Sequence, residues 1–96
     1  MITLGEIKTH APVVRDIAAR RGARNIRIFG SVARGENDET SDVDFLVEMD
    51  KDCSFLDLVA VERELSELLQ CKVDVVVDGG ISPYLKNRIY AEAIAL

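Results

Sequence analysis

The stretch FGSVARGENDETSDVDFLVE, residues 29–48, sets a glycine, a hydroxyl and two carboxylates at spacings that suit phosphate and metal chemistry. Gly30-Ser31 reads as the end of one strand and the start of a helical turn. A glycine there lets a phosphate approach the backbone, and free N–H groups at a helix start attract anions. The Ser31 hydroxyl can donate to a phosphate oxygen, and Arg34, one turn on, can add a cationic contact. Asp42 and Asp44 stand two residues apart on a strand, so their side chains share a face with stems about 7 Å apart. Leaning together, they can bracket two divalent cations roughly 3.5–4 Å apart. Asp74, in the alternating stretch KVDVVV, offers a third carboxylate on the corresponding face. Left without a cation, carboxylates about 5 Å apart repel by on the order of 3 kcal/mol per pair at an effective dielectric of 20. Mg²⁺ reverses that sign, and it characteristically takes one or two carboxylates together with substrate phosphates.

Duller readings compete. Gly-Ser after a strand is a common turn, and a lone D-x-D is ordinarily a solvated edge with local turn hydrogen bonds. Gly30 and Gly35 match the spacing of a P-loop, but Glu36 stands where that motif needs its lysine, so the P-loop reading fails. The full pattern G-S-x10-D-x-D arises by chance in a chain this short on the order of once in a thousand. With Asp74 added in a separate strand, the chemical reading wins.

The elements that must hold these residues are legible. Thr3 with Glu6 resembles a capping box opening a helix, which kinks or restarts at Pro12 and stops at Gly22. NIRIF alternates as a strand with Ile26 and Ile28 on one face, and Phe29 after it reads as core. SDVDFLVEM is the second strand, with Val43, Phe45, Val47 and Met49 facing away from Asp42 and Asp44. Ser54 and Asp57 cap a helix whose Leu58, Val61, Leu65 and Leu68 form an apolar stripe. KVDVVV is the third strand, Gly79-Gly80 turns the chain, and Ser82-Pro83 opens a last helix with Leu85, Ile89 and Ala93 inward. The expected fold is α/β in two layers, a small mixed sheet with helices packed on one face, in one domain spanning residues 1–96.

Bulk properties bound the rest. The 96 residues are 48% hydrophobic and 30% charged, an ordinary globular balance. Apolar runs of a few residues cannot span a bilayer and no leader pattern is visible, so a cytoplasmic protein without a membrane partner is expected. Cys53 and Cys71 lack any C-x-x-C pattern and read as small core residues in a reducing compartment, although a disulfide stays open. His10 is the single histidine, which argues against zinc. Residues 1–34 carry seven Lys or Arg against two acids, and residues 35–96 five against fifteen. The net charge of −5 argues against a direct nucleic-acid binder. The basic run RDIAARRGARNIR is either a solvated helix face or a rim for a polyanionic ligand. ENDET, residues 36–40, reads as a solvated loop or otherwise as a rim of the phosphate site.

The segment FGSVARGENDETSDVDFLVE, with KVDVVV and the closing YLKNRIYAEAIAL, resembles the minimal nucleotidyltransferases of the DNA polymerase beta superfamily. That resemblance implies a polymerase-beta-like fold in which Gly30 and Ser31 hold a nucleotide triphosphate. It also implies two Mg²⁺ ions bound by Asp42, Asp44 and Asp74, with Asp74 helping to activate an acceptor hydroxyl. Family members of this size resemble antitoxins that adenylylate a tyrosine of a HEPN-domain toxin, from ATP. A homo- or hetero-oligomer is expected. Transfer to a small hydroxylated molecule and toxin masking without catalysis are the rival readings.

Overall fold

The computed structural model describes residues 1–96. Helix α1 (Leu4–Thr9) begins at Thr3, whose Oγ1 accepts from the Glu6 N–H at 3.2 Å. The chain breaks at His10 and restarts as α2 (Ala11–Arg20), with Pro12 in the first turn, where a missing N–H costs nothing. Gly22 at φ +78° turns the chain into β1 (Ala23–Phe29). Then come a short helix α3 (Gly30–Arg34), strand β2 (Val43–Met49) and helix α4 (Phe55–Leu69). Strand β3 (Val73–Val77), a 3₁₀ turn at Asp78–Gly80, helix α5 (Pro83–Glu92) and a two-residue strand β4 (Ile94–Ala95) complete the chain.

The sheet order is β3-β2-β1-β4. β1 runs antiparallel to β2 and β4, while β2 and β3 are parallel, so the sheet is mixed as expected. β4 is new relative to the sequence reading, which continues the last helix through it. Two residues are too few to show a period of two.

One sheet face carries the core. Ile26 and Ile28 of β1, Val43, Phe45 and Val47 of β2, and Val73 and Val75 of β3 pack against Val14, Ile17, Val61 and Leu65 of the helices. Burying each such side chain contributes about 1.5–3 kcal/mol. In α4 the deepest positions are Val61, Leu65 and Leu69, with Leu58 and Leu68 half-buried at the margin. Asp57 Oδ2 accepts from the Ser54 N–H at 3.0 Å, the box read from the sequence.

Helix α5 adds partial cover to the opposite face. There Leu46 is fully buried, Arg27 lies over the Tyr90 ring at 5.9 Å, and both Arg27 and the Tyr90 hydroxyl donate to Asp78. Ile89 is buried, but Leu85 is 49% exposed rather than inward. Both cysteines are free and half-buried, short of the core positions expected of them. No helix is long and apolar enough to cross a membrane.

Candidate active site

Strand alternation decides which side chains reach the site. Ile26 and Ile28 face the core, so Arg27 and Phe29 face the other way, and Phe29 pairs in register with Asp44. Asp44 in turn lies beside Asp74 across the parallel pair, on strands about 4.8 Å apart. Phe29 is therefore not a core residue but a wall of the site, with its half-buried ring beside Gly30, Ser31 and Asp44. The clue was in the alternation: placing Ile26 and Ile28 inward already turns Phe29 outward.

Gly30 needs to be glycine twice over. Its φ is +80°, a left-handed backbone that side chains resist, and a Cβ at that position would fall inside the Asp44 carboxylate. The turn and the D-x-D strand are thus locked together at van der Waals range. Gly35 at φ +72° ends α3 in the same left-handed manner, and its N–H donates to Val32 O.

A cleft of about 340 Å³ opens at this junction, lined by Gly30, Ser31, Arg34, Asp44 and, from α5, Leu85, Arg88, Ile89 and Glu92. The structure thus brings together Gly30, Ser31, Arg34 and Asp44. Asp42 immediately precedes β2 rather than lying within it, and its carboxylate is 3.8 Å from the Lys72 ammonium. It lines a second and larger cleft, of about 420 Å³, whose wall includes the loop Asn37–Ser41 and Cys71. The loop ENDET is largely exposed, as expected, while its residues 37–40 also line this cleft, with Asp38 accepting from Thr40 and Ser41. Asp74 is exposed on the outer strand.

The charges of Asp42 and Asp74 bear on Asp44, yet the three aspartates are not gathered. Burial pushes the Asp44 carboxyl up to about 6, aided by the charges of Asp74, Asp42 and Glu92 and opposed by Arg34. No three acidic, histidine or cysteine side chains converge closely enough to hold a metal ion as they stand. The donor set nonetheless suits a hard divalent cation: carboxylate oxygens on neighbouring backbone positions, with an ionisation cost at Asp44 that a cation would relieve.

Two residues of the cleft escaped the sequence reading. Glu92, only 16% exposed, accepts from the Gly30 N–H at 3.0 Å and from Arg34 Nη1 at 2.8 Å. Burial disfavours its ionised form, yet Arg34 and the Gly30 amide hold its carboxyl below the usual range. Arg88, one turn earlier on α5, is exposed on the same wall. Neither belongs to a motif, and only the packing of α5 against α3 brings them in.

This fold is that of a minimal nucleotidyltransferase. A solved structure provisionally assigned to that class superposes with a TM-score of 0.88 at 38% identity, covering 99% of this chain and 97% of the other. A family model described as a nucleotidyltransferase domain matches residues 11–96, and the chain belongs to that family of enzymes. A protein of Methanocaldococcus jannaschii, provisionally named a protein adenylyltransferase, is 47% identical over 78 residues, covering 81% of this chain and 84% of its own. The protein adenylyltransferase MntA of Thermococcus cleftensis is 34% identical over 95 residues, covering 98% and 96%. A toxin–antitoxin crystal structure with AMP-PNP shares the fold at a TM-score of 0.71 and 20% identity, covering 83% and 66%.

Proposed function

We propose that this nucleotidyltransferase moves AMP from ATP onto a tyrosine hydroxyl of a HEPN-domain toxin and so acts as its antitoxin. The observation that carries the chemistry is the locked junction of the Gly30-Ser31 turn with Asp44, whose neighbour in register is Asp74. The names of the relatives support protein adenylylation, and the toxin–antitoxin structure with AMP-PNP supports both a toxin partner and an adenine nucleotide.

In this reading Gly30, Ser31 and Arg34 receive the triphosphate, through a backbone approach, a hydroxyl donor and a guanidinium. Asp42, Asp44 and Asp74 would hold two Mg²⁺ ions, which supply charge neutralisation for the triphosphate and acidify the acceptor hydroxyl. Asp74, on the outer strand, is the carboxylate open to an incoming protein side chain and takes up the tyrosine proton. The tyrosine oxygen forms its bond to the α-phosphorus as the bond to the bridging oxygen breaks, and pyrophosphate leaves. The product carries added bulk and negative charge, a means of shutting an RNA-cutting site.

The test is transfer of label. The chain, Mg²⁺ and the protein encoded beside it are incubated with ATP labelled at the α- or at the γ-phosphate. Label should reach the partner from the α position and not from the γ position, on tyrosine. A partner that binds tightly and takes no label from any nucleoside triphosphate would establish masking without catalysis instead. The ungathered carboxylates are the observation that favours that second reading.

A further inference from the structure

A carboxylate buried beside a site meant for a polyanion is electrostatically costly there. Glu92 adds its negative charge to that of Asp44 across the cleft. Its contacts explain its presence. One oxygen takes the Gly30 N–H at 3.0 Å and the other takes Arg34 Nη1 at 2.8 Å, so a single side chain from the end of α5 spans the turn and the cation. Arg34 is also fixed through Nε, which donates to Glu36 Oε2 at 3.0 Å. Neither bond uses Nη2. A guanidinium pinned at two nitrogens has given up its freedom before any ligand arrives and still presents a pair of N–H donors.

We propose that Glu92 is a positioning residue for nucleotide binding: it ties the Gly30 turn and Arg34 into one preorganised frame from which Arg34 Nη2 meets the triphosphate. This rests on the nucleotide reading above. The alternative use of the same contacts is competition, in which Glu92 occupies donors that ATP needs and must be displaced. The two uses differ in sign.

Mg-ATP affinity by calorimetry, with KM and kcat for transfer, is measured in wild type, Glu92→Gln, Arg34→Gln and the double variant. Glu92→Gln is isosteric and its folding is checked by thermal melting. Glu92→Asp, one methylene too short to span both partners, serves as a second variant. Both Glu92 variants should weaken Mg-ATP binding and raise KM about tenfold with kcat nearly unchanged. On the Arg34→Gln background the loss should shrink to about threefold, because only the tie to the Gly30 turn is then left to lose. Equal losses on both backgrounds would overturn the inference in favour of a merely structural brace. Tighter ATP binding in Glu92→Gln would overturn it in favour of competition. A wild-type protein without affinity for Mg-ATP would bring down the nucleotide reading itself, and this inference with it.

Discussion

Asp44 concentrates the electrostatic tension of the molecule. Its carboxyl ionises near 6 in the fold, against 3.8 for an ordinary aspartate. Ionisation is therefore harder in the folded than in the unfolded chain. The contribution of Asp44 to stability is fully present below pH 4 and is lost as pH rises through about 6. Water screens the half-exposed group, so the loss amounts to about 1 kcal/mol. Thermal melts of metal-free protein at pH 4, 5 and 7 should show this decline relative to Asp44→Asn, which is spared it. Asp38 and Asp78, whose carboxyls are held low by groups other than Asp44, pull the other way in both proteins and cancel in the comparison. In the transfer assay the same Asp44→Asn substitution should cost about a thousandfold. Gly30→Ala meets a different obstacle. The left-handed backbone alone costs about 1–2 kcal/mol, and the new methyl group must displace the Asp44 carboxylate. Denaturant unfolding should register that loss of stability, and nucleotide titration should show binding abolished.

At the scale of elements, strong periodicity and punctuation were legible and weak signals were not. The α4 stripe and the three long strands follow from patterns that persist for five or more residues, and the Ser54–Asp57 box and the Gly22 stop from local punctuation. β4 has two residues, and α5 carries a short apolar face in which Ile89 is buried while Leu85 stays half-exposed. Such elements take their place from tertiary packing rather than from period. β3 makes the point differently. It is an outer strand, and an outer strand presents open amides to other chains. Glu62 of α4 reaches over and accepts from the Val75 N–H at 3.2 Å. Glu62→Ala should leave that amide open, costing about 1 kcal/mol and raising light scattering at high protein concentration. Deep in the same helix, Leu65 is fully buried, and Leu65→Ala should cost about 2–5 kcal/mol in denaturant unfolding.

For the whole molecule, the candidate site divides along the same line. Spacing at the end of β1 singled out Gly30, Ser31, Arg34 and Asp44, which share one cleft, whereas Asp42, read as part of the strand, precedes it and lines another cleft, and Asp74 stands exposed on the outer strand. Glu92 lies 62 residues from Gly30 in sequence, and their contact exists only after α5 folds back past α3. No local pattern encodes a closure of that length. The charge balance is informative at this scale as well. A net charge of −5 sits poorly with a nucleic-acid substrate, and a small domain with exposed Phe55, Leu56 and Tyr84 is compatible with a protein acceptor.

Adenylylation of a partner protein shows up in that partner's intact mass. The protein encoded beside this chain is incubated with it, Mg²⁺ and ATP, and weighed, with the Asp44→Asn protein as control. The partner should gain one or more AMP units, mapped to tyrosine and absent with the variant. An unchanged partner mass in a complex that forms and binds Mg-ATP would contradict adenylylation.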